Sequence, residues 1–286
     1  MRAPGPLVAH SLSRVAEELV RAGRGDALHW HDVILSTHFQ PVFAVHRGTC
    51  VGYESLIRAV LPDGRTVAAA QLFDEAIDAG DGVLLDWLCR ALHLRNFATI
   101  DPGDRQLFMN LHPEAAVKDA GCETQLAQLI RYYGLAPRRV FLEILQAGCA
   151  DEGLLSEAVE AYRGLGASIA MAGFGLGCSN FERIASLRPD VVKVDRRMLA
   201  QAVGDSKARR LLPSVVELLH ETGARVAVEG IETVNEALIA MDAGADYLQG
   251  YYFARPGPRL ADESMGTRML SRLRHMAPGP AVVGTD

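Results

Sequence analysis

The sequence predicts a closed (β/α)8 TIM-like barrel, an α/β fold, with one antiparallel strand near its start. Three observations carry that expectation. Short β-like runs alternate with longer helical patterns from about residue 39 onward. Most of the runs are continuous and apolar, as strands covered on both faces must be. About eight such units fit within about 250 residues, the size at which a parallel sheet closes on itself.

Strands are expected at Phe39–Val45, Cys50–Ile57, Leu107–Leu111, Val140–Ile144, Ser168–Met171, Val191–Val194, Arg225–Val228 and Tyr247–Gly250. Helical segments between them include Asp81–Phe97, Glu152–Gly164, Ser206–Glu221 and Glu232–Ala243. In the second of these, Leu154, Leu155, Ala158, Val159 and Tyr162 share one face at helical spacing. Thr222-Gly223 and Ala243-Gly244 supply helix stops ahead of the next strands. Only His46–Thr49 separates the first two strands, too little for a crossover, so they read as a hairpin with one strand antiparallel.

Residues 1–34 read as an N-terminal helical extension. Its apolar stripe Leu12, Val15, Ala16, Leu19 and Val20 ends at Gly23 and Gly25 and must pack on the barrel or on a partner chain. Residues 35–276 form the barrel, and residues 277–286, rich in Pro and Gly, read as a disordered tail.

Of the 286 residues, 49% are hydrophobic and 22% charged, ordinary for a soluble globular protein. A net charge of -6 argues against a dedicated nucleic-acid binder, and the basic cluster Arg131–Arg139 reads as solvated surface. The five cysteines are scattered without a C-x-x-C pair, which fits a reducing cytoplasm and offers no metal-finger spacing. There is neither a membrane-length apolar run nor a signal-peptide layout, so a soluble cytoplasmic location is expected.

In barrels of this kind functional side chains sit at the C-terminal ends of strands. Here those ends carry Glu54, Asn110, Glu143, Ala172-Gly173, Lys193 with Asp195, Glu229 and Gln249. Any one of them alone would be an ordinary surface residue; arriving from different strands, they make a convergent polar site. One strand end differs. The run Ser168–Phe181 empties into a glycine-rich turn shaped for a phosphate or metal, yet it has no acidic residue. Gly173, Gly175 and Gly177 suggest a dinucleotide loop, but Cys178 occupies the last glycine position. His31-Asp32 lacks the other histidines of a metal-binding pair, and Cys178, with no histidine placed beside it, reads as an inert thiol.

The same residues resemble the EAL domain family, which binds and hydrolyses cyclic di-GMP. Glu54-Ser55-Leu56-Ile57-Arg58 matches E-x-L-x-R, preceded by Gln40-Pro41 and Val51-Gly52. Asn110-Leu111, Leu142-Glu143-Ile144 and Lys193-Val194-Asp195-Arg196 are similar to further strand motifs of the family. So are Glu229-Gly230-Ile231-Glu232-Thr233 and Asp246-Tyr247-Leu248-Gln249-Gly250-Tyr251, with Pro256 following. The match runs in order from about residue 35 to 260.

The resemblance implies two divalent ions on hard oxygen ligands, which offset phosphate charge and activate a water. Glu54, Asn110 and Glu143 would be metal ligands, Lys193 would assist the water, and Glu229 and Gln249 would complete the site. It further implies ligand contacts from Gln40, Leu56, Arg58, Asp195, Gly230 and Pro256. Where the family reads D-D-F-G-T-G, this chain has Ala172-Gly173-Phe174-Gly175-Leu176-Gly177, and the second Glu of L-T-E is Gln146. The segment Ala69–Gly80 also departs from the family's proline-containing loop near the ligand.

Each lost charge at about 4 Å is worth roughly 4 kcal/mol at an effective dielectric near 20. A two-ion site is therefore not expected. The expectation is that no cofactor is required, with at most one weakly bound Mg²⁺, Mn²⁺ or Ca²⁺ on Glu54, Asn110, Glu143 and Glu229. On this basis the chain is read as a catalytically degenerate domain, a cyclic di-GMP receptor or regulator without phosphodiesterase activity. Two alternatives stand beside it: a protein-interaction module that has lost the nucleotide, and a weakly active phosphodiesterase yielding pGpG. An unidentified protein partner is expected, and a homodimer through Phe174, Asn180 and Phe181 is left open.

Overall fold

The structure, a computed structural model, describes residues 27–100, 103–118, 123–145, 151–175 and 181–276. Its strands are β1 (Ala27–Trp30), β2 (Val33–Ala44), β3 (Thr49–Val60), β4 (Thr66–Val67), β5 (Gln106–Leu111), β6 (Val140–Ile144), β7 (Ser168–Phe174), β8 (Val191–Val194), β9 (Arg225–Val228) and β10 (Tyr247–Leu248). They form one sheet in the order β1-β2-β10-β9-β8-β7-β6-β5-β3-β4, and the pairing of β2 with β3 closes it. The closed part is an eight-stranded barrel. β3 and β5 to β10 run parallel, and β2 is antiparallel to both of its neighbours, β3 and β10. The expected fold class stands, including the hairpin between the first two barrel strands.

Helices cover the outside. The Glu152–Gly164 helix starts at Asp151, whose side chain accepts a hydrogen bond from the Leu154 N–H at 2.9 Å. The Val234–Asp242 helix starts at a capping box between Thr233 and Glu236. Its neighbour Ser206–Glu221 ends at Thr222, after which Gly223 takes φ +87°. The Gly82–Ile100 helix is buried almost all round, and even its Asp86 and Arg90 form an internal ion pair at 2.6 Å. No helix among the described residues is long and apolar enough to cross a membrane.

Three local expectations need correcting. The sheet begins at Ala27, not at residue 35, because β1 pairs with the start of β2 across His31-Asp32, inside the segment read as a helical extension. His31 adopts φ +50° there, so the His-Asp step is a tight turn. Leu154 does not share the buried face of its helix; it is 38% exposed, while Leu155, Ala158, Val159 and Tyr162 are buried. β7 runs on to Phe174 and β10 stops at Leu248. The Leu12–Val20 stripe and the 277–286 tail lie outside the described residues.

Two cores result. The larger packs the helices against the outer face of the barrel. The smaller is an apolar plug inside it, made of Val42, Ala44, Phe108, Phe141, Ala170, Val191, Ala227 and Tyr247. Phe108 and Phe141 stack within it at 4.5 Å between ring centroids.

Candidate active site

Side chains on a strand alternate faces with a period of two. Two residues beyond each plug position therefore lies the next inward position, toward the C-terminal end of the parallel strands. That step leads from Phe108 to Asn110, Phe141 to Glu143, Ala170 to Ala172, Val191 to Lys193, Ala227 to Glu229 and Tyr247 to Gln249. On antiparallel β2 it leads backward from Val42 to Gln40, whose register partner on β3 is Glu54. A polar ring thus rests on an apolar floor. The strand-end residues read from the sequence are brought together.

Lys193 is at the centre of this ring. Its ammonium, on a side chain 1% exposed, lies 2.8 Å from Glu54 Oε2, 2.9 and 2.8 Å from the two oxygens of Glu143, and 2.6 Å from Glu229 Oε1. Gln249 Nε2 donates to Glu54 Oε2 at 2.7 Å and to Gln40 Oε1 at 3.4 Å, and Asn110 Nδ2 donates to Glu54 Oε1 at 3.3 Å. One cation facing three carboxylates, two of them buried and Glu229 half-buried, cannot neutralise them all. Burial raises the pKa of Glu143 to about 8, against the pull of Lys193, and the charges of Glu54 and Glu229 push it the same way. Burial likewise raises Glu229. Burial acts upward on Glu54 too, but the ammonium and three hydrogen bonds outweigh it and hold this carboxyl low. Burial disfavours the charged form of Lys193, and the surrounding carboxylates more than reverse this.

Beside the ring lies a cavity of about 460 Å³ between β3 and the Ala69–Asp78 and Gly82–Ile100 helices. Glu54, Leu56, Arg58 and Asn110 line it, and Phe73, Ile77, His93 and His112 form much of the rest. Arg58 donates to the Ile57 carbonyl at 3.0 Å and makes no ion pair among the described residues. Of these last four, His93 and His112 did not figure in the sequence reading, and Phe73 and Ile77 did so only as part of the Ala69–Gly80 segment. Phe73 and Ile77, at helical i, i+4 spacing, were the signal for a shared face. His93 is fully desolvated, which lowers its pKa to about 3, and its Nδ1 is 2.8 Å from Thr37 Oγ1. It is therefore a neutral wall of the cavity.

The remaining candidates are placed as follows. Asp195 caps the Arg196–Gly204 helix by accepting from the Arg197 N–H at 2.8 Å. Gly230 has φ +70°, and a Cβ there would come within 2.3 Å of Arg196 Cβ, so that turn admits only glycine. Pro256 precedes Gly257, which bridges to Phe39 of β2. Ala172 is buried and opens a β-bulge in β7, where the pairing with β8 shifts between Met171 and Phe174. Gly173 takes φ +76°. Phe174 is 1% exposed and packs edge-on against Phe181, so of the two described dimer candidates Phe181 is the accessible one. Gln146, Cys178 and Asn180 lie outside the described residues.

Ligand atoms of Glu54, Glu143 and Glu229 all lie within 4.8 Å of one another. Three carboxylates with an amide oxygen nearby are the hard donors that Mg²⁺, Mn²⁺ or Ca²⁺ requires. Gln249 Oε1, on a side chain 2% exposed, is a buried acceptor with no hydrogen-bond partner among the described residues. The set fits one divalent cation. It does so only if the ammonium gives way.

The EAL domain family profile matches residues 27–256. This chain belongs to the EAL domain family. The match starts where β1 starts, so the β1–β2 hairpin is part of the domain. Relatives of this EAL domain include the cyclic di-GMP phosphodiesterase RocR of Pseudomonas aeruginosa, 27% identical over 77% of this chain and 57% of that protein. The probable cyclic di-GMP phosphodiesterase PdeB of Escherichia coli is 25% identical over 82% of this chain and 44% of its own length. Among solved structures, the YkuI protein of Bacillus subtilis, in complex with substrate c-di-GMP and calcium, is 27% identical with a TM-score of 0.75. That alignment covers 85% of this chain and 60% of YkuI. The chain spans about half the length of the curated relatives named here.

The comparisons correct one expectation. The chain was expected not to be an enzyme, whereas the named relatives of its EAL domain are phosphodiesterases and the Glu54, Glu143 and Glu229 cluster is assembled. The ring is assembled with Ala172 at its β7 position.

Proposed function

We propose that this EAL domain binds cyclic di-GMP across the open end of its barrel and acts as a cyclic di-GMP-responsive regulator. The observation that carries this reading is the juxtaposition of the ring with the cavity beside it. The cavity has apolar walls at Leu56, Ile57, Ala69, Ala70, Phe73 and Ile77, suited to the face of a base, and one guanidinium, Arg58, which makes no ion pair among the described residues and is suited to a phosphate. The altered Ala69–Asp78 segment forms a helix that walls this cavity and does not fill it, which favours a nucleotide ligand over a purely protein-binding role.

The carboxylate cluster supports one cation at a bound phosphate, where it would offset charge and lower the pKa of a water. Two-ion chemistry lacks its extra carboxylate at Ala172. Hydrolysis to linear pGpG is therefore expected to be slower than in relatives that hold two ions, while nucleotide binding survives removal of divalent cations. Calorimetric titration with cyclic di-GMP in EDTA and in Mn²⁺, with chromatographic assay of pGpG, tests this. One dinucleotide bound per chain in both buffers, and pGpG formed only in Mn²⁺, is the expected result. No heat at high micromolar ligand in either buffer would refute it.

A further inference from the structure

The ring already contains a cation of its own. Lys193 Nζ makes contacts of 2.6 to 2.9 Å to three carboxylates from three other strands, which is the arrangement a bound metal ion would have. An ammonium has three N–H donors, and four carboxylate oxygens lie within this range, so its hydrogen-bonding capacity is saturated. A second observation points to a ligand at the same spot. Gln249 directs both described side-chain hydrogen bonds through Nε2, to Glu54 and Gln40, and leaves Oε1 buried and unpartnered beside the cluster. A leftover buried acceptor is costly, and a hard cation or its bound water would satisfy it.

We propose that Lys193 is the built-in counter-ion of this cleft: its ammonium occupies the position among Glu54, Glu143 and Glu229 that a divalent cation must take, so metal binding here is a displacement. Cation affinity in this chain is then set by how readily the ammonium withdraws. Ala172 sharpens the competition. It lies on β7, the strand between those of Glu143 and Lys193, two residues beyond Ala170, the register partner of Glu143, and brings no carboxylate to draw the ammonium aside or to hold the incoming ion. The inference rests on the cluster as a cation site and holds whether or not the dinucleotide binds.

The test is Mn²⁺ binding to the full chain, followed by electron paramagnetic resonance or calorimetry without nucleotide. Lys193→Met keeps an unbranched side chain only one atom shorter and removes its charge. The variant is expected to bind one Mn²⁺ at least tenfold more tightly than wild type, with Ca²⁺ competing. Glu54→Gln added to Lys193→Met should abolish the gain. Removing a buried ammonium among carboxylates can unfold the domain, so thermal unfolding in EDTA and in Mn²⁺ is measured in parallel. Restoration of the variant's Tm by Mn²⁺, with a smaller shift in wild type, supports displacement. Equal Mn²⁺ affinities, or a variant whose Tm Mn²⁺ leaves unchanged, would overturn it.

Discussion

Replacing Ala172 by aspartate should rebuild much of the missing cation affinity, and the size of the effect can be worked from the sheet. Ala172 is 8% exposed and sits on β7, next to the strand that carries Lys193. Neighbouring strands lie about 4.8 Å apart. At that separation two unit charges interact by roughly 3.5 kcal/mol at an effective dielectric of 20, and a carboxylate with a dication by roughly twice as much. Burying the new carboxylate costs several kcal/mol of that gain. A net of only about 1.4 kcal/mol is still tenfold in affinity.

Ala172→Asp is therefore expected to bind Mn²⁺ at least tenfold more tightly than wild type and to form pGpG faster, read by calorimetry and chromatography. Gly173→Asp makes the contrast. Its φ of +76° strains any L side chain, at about 1–2 kcal/mol, so this variant should lose stability. A folded Ala172→Asp protein with wild-type Mn²⁺ affinity would refute the argument that the missing charge limits the site.

Other expectations follow from the same geometry. Arg58→Ala should weaken cyclic di-GMP about tenfold or more in calorimetry, the loss of a charge-assisted hydrogen bond worth about 1.5–3 kcal/mol, and leave the Tm nearly unchanged because the guanidinium makes no ion pair among the described residues. Glu143 titrates near 8 in the fold against an ordinary 4.5. Between those values the folded chain keeps a proton that the unfolded chain has released. Its contribution to stability is thus whole below about pH 4.5 and falls by roughly 1.4 kcal/mol per pH unit until about pH 8. The Tm of Glu143→Gln minus that of wild type should accordingly rise from pH 5 to pH 8, and a flat difference would contradict the assignment. Phe108→Ala should cost about 3–5 kcal/mol in urea unfolding, because it opens the plug beneath the ring.

The strands Val140–Ile144, Val191–Val194 and Arg225–Val228 were legible to the residue, since each is a short, largely apolar run whose one charged residue, Glu143, Lys193 or Arg225, does not break the pattern. β1 was not, because its turn is His31-Asp32, without the glycine or asparagine that marks a two-residue hairpin, and only tertiary pairing holds His31 at positive φ. β4 is two residues long and carries no periodicity at all. For the site, strand-end position sufficed to find Glu54, Asn110, Glu143, Lys193, Glu229 and Gln249, because a two-residue period above an apolar floor puts them in one ring. What sequence could not supply is the centre of that ring. Pairing of Lys193 with Glu229 or Glu143 was foreseeable; its simultaneous contact with Glu54 depends on barrel closure between β2 and β3. The cavity wall at His93 was missed because it comes from inside the Gly82–Ile100 helix, while His112 directly follows the end of β5 and was passed over beside Asn110.

Whether the ring and the adjoining cavity form one nucleotide site is read from a crystal grown with cyclic di-GMP and Mn²⁺. The expected density is one dinucleotide at the C-terminal end of the barrel, with a phosphate within hydrogen-bond reach of Arg58 and a base against Phe73 and Ile77. Dinucleotide bound elsewhere on the molecule, or a cleft left empty at saturating ligand, would contradict it.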